Sequence, residues 1–121
     1  MKVLIIDSSI QIVTRLQEML FQAMTSNCTY YSGNYGNGFQ VFKETSPDVV
    51  LMGVGLPEND SVKLLGEIKK ENFSTPVIML TVNTNEYILA QCKLLGADHF
   101  LDKYYDFEKI SSIINTVPSQ Q

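Results

Sequence analysis

The stretch Pro47-Asp-Val-Val-Leu-Met-Gly-Val-Gly-Leu-Pro57 decides the fold of this chain. Its apolar run, Val49 to Met52, lies between turn-forming residues, which is typical of a short strand buried on both faces of a sheet. In parallel α/β sheets, ligands and reacting groups lie at the carboxyl ends of the strands. The residue at that end here is Gly53. Because residue 53 has no side chain, its identity bears directly on what the protein can do.

The composition predicts one globular domain over residues 1–121. A chain of 121 residues buries about two thirds of its unfolded surface, so one core is sufficient. Hydrophobic residues make up 45% and charged residues 18%, which is ordinary for a folded protein and unlike a disordered one. The net charge of −4 argues against direct binding to nucleic acid or an anionic membrane, because both need clustered Lys and Arg.

The N-terminal segment and the cysteines give no sign of export or of a metal site. The apolar segment Met1–Ile6 is too short for a signal sequence and is followed by Asp7, so we expect a cytoplasmic location. Cys28 and Cys92 lie far apart in no metal-binding spacing, and we expect both to be reduced core residues.

Apolar runs and helical periodicity alternate along the chain. We predict strands over Lys2–Ile6, Cys28–Tyr31, Val49–Met52, Val77–Leu80 and Asp98–Leu101. The first helix is predicted after the capping box Ser8-x-x-Gln11, and the second is predicted to run up to Thr45. The third is predicted over Ser61–Glu71 with Asp60 as N-cap, and the fourth over Asn83–Leu95 with Gly96 as the stop. The fifth is predicted between Asp106 and Pro118. Residues 117–121 are predicted to form a polar tail.

Five strands that alternate with five helices predict an α/β fold. Each strand is separated from the next by a helix, so the connections are crossovers and the strands are parallel. We expect a three-layer α/β/α sandwich with the flavodoxin-like strand order 2-1-3-4-5. The carboxyl ends of four strands would then bring Asp7-Ser8, Gly53, Thr81 and Lys103 to one edge.

Four blocks of this sequence resemble the receiver domain of two-component response regulators. They are Val3-Leu-Ile-Ile-Asp7, the opening stretch Pro47–Pro57, Pro76-Val-Ile-Met-Leu-Thr81 and Gly96-Ala-Asp-His-Phe-Leu-Asp-Lys103. The blocks occur in the family's order and spacing, and the resemblance covers the whole chain. It implies a module for phosphorelay signalling rather than an enzyme.

The resemblance assigns a role to each position at the sheet edge. In that family two adjacent acids hold Mg²⁺, an aspartate accepts a phosphoryl group, and a hydroxyl and a lysine contact the phosphate. By position, Asp7 matches the first acid, Thr81 the hydroxyl and Lys103 the lysine. Ser8 stands where the second acid belongs, and Gly53 stands where the phosphorylated aspartate belongs.

These two departures change the expected chemistry. Glycine has no oxygen to attack a phosphoryl donor, so an acyl phosphate cannot form at Gly53. With Asp7 as the remaining carboxylate, we expect Mg²⁺ binding to be weak or absent and predict no other cofactor. The family's three carboxylates and one lysine are reduced to Asp7 and Lys103, which we expect to pair. We expect the Thr81 hydroxyl to bond a nearby backbone group.

The resemblance also suggests a binding face on the fourth helix, fifth strand and fifth helix. Phe100 matches the family's switch aromatic, and Tyr87, Tyr104 and Tyr105 fall on or beside the same face. Tyr104 stands where a proline, often cis, usually follows the lysine. Exposed aromatic side chains are good anchors for a protein interface. The expected partners are proteins, a second copy of this chain among them.

Two alternatives remain open from the sequence. The acceptor aspartate could have been replaced by engineering in an ordinary phosphorylatable receiver, although Ser8 and Tyr104 depart from the pattern independently. A flavin carrier on the same fold would need a phosphate loop rich in Ser, Thr and Gly after the first strand, and Asp7-Ser-Ser-Ile-Gln11 is a poor match.

Overall fold

Five strands alternate with five helices in the computed structural model, which describes residues 1–23, 28–54, 58–81, 85–103 and 105–118. The strands are β1 (Lys2–Ile6), β2 (Thr29–Gly33), β3 (Val49–Gly53), β4 (Val77–Thr81) and β5 (His99–Asp102). The helices are α1 (Ile10–Ala23), α2 (Gly38–Thr45), α3 (Glu58–Glu71), α4 (Glu86–Leu94) and α5 (Phe107–Ile114).

The strands form one parallel sheet in the order β2-β1-β3-β4-β5, which confirms the predicted flavodoxin-like topology. Ile6 of β1 lies beside Met52 of β3, and Gly53 lies beside Leu80 of β4. The strands therefore end together at one edge of the sheet. The central position of β3 makes Gly53 the middle of that edge.

Successive residues of the central strands face opposite sides of the sheet and enter two separate cores. Val49 and Leu51 pack with α1 and α5, whereas Val50 and Met52 pack with α2, α3 and α4. All five residues of β3 are buried. This double burial explains why the strand reads as an unbroken apolar run rather than an alternating one.

The predicted cap of α1 is wrong by one residue. The backbone NH of Ile12 donates to Ser9 Oγ at 3.3 Å, and the NH of Val13 donates to the Ser9 carbonyl at 3.1 Å. Ser9, not Ser8, is therefore the N-cap. The physical reason is Asp7, whose Oδ1 accepts the Ser9 NH at 2.9 Å and holds Ser9 at the helix entrance.

The two acidic caps also differ from prediction. Helix α3 begins at Glu58, so Asp60 lies within its first turn instead of preceding it. Acidic residues are favoured both at the cap and in the first turn, so their position does not fix the start. Asp106 does precede α5, but its side chain makes no cap bond and instead accepts the NH of Asp102 at 2.7 Å.

Other boundaries shift by one or two residues. Strands β2 and β5 each begin one residue later than predicted, and β2 extends to Gly33. Asn85 caps α4 by accepting the NH of Tyr87 at 2.9 Å, and the predicted start at Asn83 lies outside the described residues. Gly96, at φ 105°, confirms the predicted stop, because side-chain-bearing residues rarely adopt this angle.

The two cysteines are free thiols, as predicted. Cys92 is fully buried on α4, and its burial raises the pKa of the thiol. Cys28 is only half-buried, so the predicted core position is wrong for this residue. In the described part of the chain, no helix has the length and apolar character needed to cross a membrane. Of the predicted tail, residues 119–121 lie outside the described residues.

Candidate functional site

The carboxyl edge of the sheet brings Asp7, Gly53, Thr81 and Lys103 together. Lys103 Nζ lies 2.9 Å from Asp7 Oδ2, which confirms the predicted ion pair. The side chains are only 12% and 3% exposed, respectively, so water screens their attraction weakly. The pair joins the end of β1 to the residue that follows β5.

The ion pair fills the space above Gly53. A β-carbon built on Gly53 would overlap Asp7 Oδ2 and would lie 2.9 Å from Asp7 Cγ and 3.1 Å from Lys103 Nζ. The φ angle of Gly53 is not in the left-handed region, so its backbone would accept any residue. A side chain at position 53 would therefore force the Asp7 carboxylate to shift, whereas the backbone itself sets no such restriction.

The two oxygens of Asp7 have different surroundings. Oδ1 accepts the NH of Ser9, whereas Oδ2 is fully buried with no aligned hydrogen-bond donor among the described residues. The positive charge of Lys103 is what compensates Oδ2. Removing that charge would leave a buried carboxylate oxygen uncompensated, which is costly.

The carbonyl of Gly53 is held by two side chains that the sequence analysis missed. It accepts hydrogen bonds from the Tyr35 hydroxyl and, at 3.3 Å, from the Ser61 hydroxyl. Tyr35 belongs to the turn before α2, and Ser61 is fully buried on α3. One indication of the Tyr35 contact was present in the sequence, since Tyr35 is an aromatic residue within a loop rich in Asn and Gly. These bonds fix the end of β3 beneath the ion pair.

Thr81 and Ser8 contribute no charge to the site. Thr81 Oγ1 donates to the Leu101 carbonyl at 3.4 Å, which agrees with the predicted backbone bond. Ser8 is exposed on the rim of a groove of about 550 Å³ that Asp7 and Asn37 also line. Within the described ranges, no three His, Cys, Asp or Glu side chains are grouped so that they could hold a metal ion.

The turn between β5 and α5 is fixed by its own hydrogen bonds. The NH of Lys103 donates to the Thr81 carbonyl at 2.9 Å, and Asp106 Oδ2 accepts the NH of Asp102. Asp102 Oδ1 in turn accepts the NH of Tyr105 at 2.8 Å. The bond from Asp102, together with Lys109 at 3.2 Å, lowers the pKa of the Asp106 carboxyl.

The predicted interface aromatics differ in exposure. Tyr87 on α4 is 67% exposed and Tyr105 in the turn after β5 is 88% exposed. Phe100 is half-buried and packs against the core cluster that contains Ile88 of α4. Tyr104 lies outside the described residues, and so does the bond that joins it to Lys103. Two of the predicted interface tyrosines are thus exposed, whereas Phe100 is partly covered by the core.

Comparison with known proteins gives one consistent result. A family model, the response regulator receiver domain, matches residues 3–115. The chain is similar to regulatory protein AtoC of Escherichia coli, with 29% identity over 86 residues, covering 71% of this chain and 19% of AtoC. It is also similar to the chemotaxis protein CheY of Bacillus subtilis, with 28% identity over 82 residues and 68% of each chain covered.

Solved structures agree on the fold. A DNA-binding response regulator of the LuxR family from Staphylococcus aureus superimposes with a TM-score of 0.81 at 17% identity, covering 94% of this chain and 95% of that chain. The chain spans less than half the length of the first curated relatives it matches.

Proposed function

Because this chain belongs to the response regulator receiver domain family, we propose that it serves two-component signalling as a pseudo-receiver. It forms no aspartyl phosphate at position 53 and acts by binding partner proteins. The observation that carries the proposal is the ion pair between Asp7 and Lys103, which fills the space above Gly53. The position where the family's reaction needs a carboxylate therefore has neither the oxygen nor the room.

Asp7 is a poor substitute acceptor. Attack on a phosphoryl donor needs a carboxylate oxygen that the donor can reach. Asp7 Oδ2 is fully buried against Lys103, and Oδ1 accepts the NH of Ser9. Both Asp7 oxygens are thus engaged or enclosed, which argues against Asp7 as a substitute acceptor.

The residues at this edge do not fit a magnesium ion. Mg²⁺ is held by one or two carboxylates together with phosphate and water, in a strict octahedral geometry. Asp7 supplies a single carboxylate, and the Lys103 ammonium lies 2.9 Å from its Oδ2, where it already compensates the charge. We therefore propose that Mg²⁺ binding is weak or absent and that the function uses no cofactor.

The binding face is proposed on α4, β5 and α5. Tyr87 on α4 and Tyr105 in the turn after β5 expose large aromatic surfaces, which suits a protein partner or a second copy of the chain. The net charge of −4 favours a protein partner over nucleic acid or an anionic membrane. The proposed role is that of a cytoplasmic, non-catalytic binding module.

The packing above Gly53 also bears on the alternatives. If an aspartate had simply been replaced by engineering, the pocket would be expected to keep the family's second acid, and Ser8 stands there. A flavin carrier would need a phosphate loop after β1, yet α1 begins at Ile10, three residues beyond Asp7. Both observations favour the pseudo-receiver.

Beryllofluoride, which binds carboxylates as a phosphoryl analogue, tests the proposal in the pocket itself. We expect the backbone amide resonances of Gly53, Thr81 and Lys103 to stay in place during titration with beryllofluoride and Mg²⁺. Saturable shifts of these three resonances would contradict the proposal. An Asp7→Asn variant, titrated in parallel, shows whether any shift depends on that carboxylate.

A further inference from the structure

Strand β2 forms one edge of the sheet and pairs with β1 on its inner side. The NH of Thr29 and the carbonyl of Gly33 bond to the backbone of the residues that flank β1, at 2.8 Å and 3.3 Å. Backbone groups of alternate residues point to the same side of a strand, so the odd-numbered residues of β2 face β1. The even-numbered residues, Tyr30 and Ser32, therefore point their NH and C=O groups away from the sheet.

The outer side of β2 is open and unprotected. Among the residues that the structure describes, none forms a hydrogen bond with the outward groups of Tyr30 and Ser32. Proteins commonly protect a free edge with charged side chains, proline or a bulge. The sequence of residues 28–34, Cys-Thr-Tyr-Tyr-Ser-Gly-Asn, contains neither proline nor a charged residue, and β2 pairs with β1 in unbroken register. Strand β2 thus has the features of an edge that another strand can join.

The opposite edge of the sheet, β5, carries the protection that β2 lacks. Acidic residues lie at both of its ends, because Asp98 precedes the strand and Asp102 is its last residue. The NH of Asp102 is also bonded to the Asp106 carboxylate at 2.7 Å. A joining strand is therefore expected at β2 rather than at β5.

A second copy of β2 fits this edge when the two strands run antiparallel about a two-fold axis at Tyr31. Tyr30 of each copy then lies opposite Ser32 of the other, and the two residues exchange NH and C=O bonds. The outward groups of both strands are all satisfied, and the strands bring no like charges together. Tyr31 lies opposite its own copy, and aromatic pairs across strands are stabilising. The strand is thus complementary to itself in both hydrogen bonding and charge.

We propose that two copies of this chain associate through β2 in this antiparallel register, so that their sheets become one continuous sheet. The inference goes beyond the proposed function, because it assigns the second copy to β2 and leaves the face of α4, β5 and α5 to other proteins. Since β2 and β5 are opposite edges of the sheet, that face is free in both copies. The dimer presents two such faces and can bind a dimeric or repeated partner with avidity.

Sedimentation velocity at increasing protein concentration tests the association. We expect a monomer–dimer equilibrium for the wild type. Ser32→Pro removes an outward NH from each copy and keeps the bonds to β1, so it should raise the dissociation constant about tenfold or more. His99→Pro is the matched control on β5, where the NH of Asp98 donates to the Val77 carbonyl and that of His99 therefore points away from β4. The control should leave the dissociation constant unchanged.

A disulfide tests the register without relying on the proline variant. In a Cys28→Ser background, with Cys92 fully buried, Tyr31→Cys places two thiols at the two-fold axis. Opposite Cα atoms of such a pair lie about 4.5 Å apart, which a disulfide can bridge. Thr29→Cys is the control, because its two copies would lie about 14 Å apart in this register. Mild oxidation should therefore link the dimer through Tyr31→Cys and not through Thr29→Cys.

The wild-type protein decides the proposal if the variants fail to fold. Amide hydrogen exchange at Tyr30 and Ser32 should slow as the protein concentration rises into the range of the dimer. A chain that stays monomeric, exchange at these amides that is independent of concentration, or a dimer dissociated by His99→Pro would overturn the proposal. Equal disulfide formation by Thr29→Cys and Tyr31→Cys would also overturn it. These measurements use no phosphodonor, so their failure would leave the pseudo-receiver proposal intact.

Discussion

Gly53 matters because of what occupies the space above it. The sequence shows that this residue lacks a nucleophilic oxygen, and the structure adds that the Asp7 carboxylate lies where a β-carbon would be. The pairing of Asp7 with Lys103 was predicted from their opposite charges and from the sheet edge that both residues share. The overlap with position 53 could not be predicted, because it depends on distances between β1, β3 and the turn after β5.

Substituting Gly53 should therefore be destabilising even with the smallest side chain. Gly53→Ala forces the Asp7 carboxylate out of its site, and overpacking of this kind costs about 1–3 kcal/mol of unfolding free energy. Gly66→Ala, in the interior of α3, should instead gain up to about 1 kcal/mol from helix propensity. Urea unfolding of both variants checks this. A Gly53→Ala protein as stable as the wild type would show that the carboxylate moves freely.

Lys103 should contribute to stability mainly by compensating Asp7. Lys103→Met leaves a buried carboxylate without its partner, and breaking such a pair costs about 3–5 kcal/mol. Combining it with Asp7→Asn removes both charges, so the double variant should lose less than the sum of the two single losses. Chemical denaturation of the four proteins in the cycle measures the difference. Additive losses would mean that the two side chains do not interact.

Asp106 should make stability depend on pH in the acidic range. Its pKa is lowered in the folded protein by the NH of Asp102 and by Lys109, so folding favours the ionised form. The resulting stability is fully present above the unfolded pKa of about 4 and is lost as pH falls through the folded pKa. Asp106→Asn should flatten the pH dependence of thermal unfolding below about pH 4. An unchanged pH dependence of thermal unfolding in Asp106→Asn would show that Asp106 does not contribute to it.

Hydrophobic periodicity predicted the strands and helices better than the N-cap residues predicted where the helices begin. The alternation of buried strands and amphipathic helices placed all ten elements, because each must bury an apolar face against the sheet. The starts of α1 and α3 were misplaced because Ser8, Ser9 and Asp60 are all acceptable at several positions near a helix start. Which one caps depends on the chain that enters the helix, and for α1 that is set by Asp7.

The two exposed tyrosines should affect binding without affecting folding. Tyr87→Ser and Tyr105→Ser change side chains that are mostly in water, so each should alter the unfolding free energy by less than about 0.5 kcal/mol. Both should reduce the set of proteins retained when the immobilised domain is exposed to a lysate of its source cells. Phe21→Ser is the control, because Phe21 is 79% exposed on α1, away from the proposed face. Equal retention by all three variants would place the interface elsewhere.

In the whole molecule, the parallel sheet followed from the sequence for a general reason, and its order was expected by analogy with flavodoxin-like folds. Strands that are separated by helices are joined by crossover connections, which make neighbouring strands parallel. These crossovers are right-handed, and that handedness limits the number of possible strand orders. The same topology brings Asp7, Thr81 and Lys103 to one edge, so the membership of the site could be predicted with its fold. The supports beneath it, Tyr35 and Ser61, come from elements whose packing the sequence does not specify.

Phosphorylation of the domain is measured by the intact mass of the wild-type chain after incubation with a small-molecule phosphodonor and Mg²⁺. A single species of unmodified mass is expected at every time point, because Gly53 has no oxygen and the Asp7 carboxylate is enclosed with Lys103. A species heavier by one phosphoryl group, mapped to Asp7 or to any other residue of the domain, would contradict it.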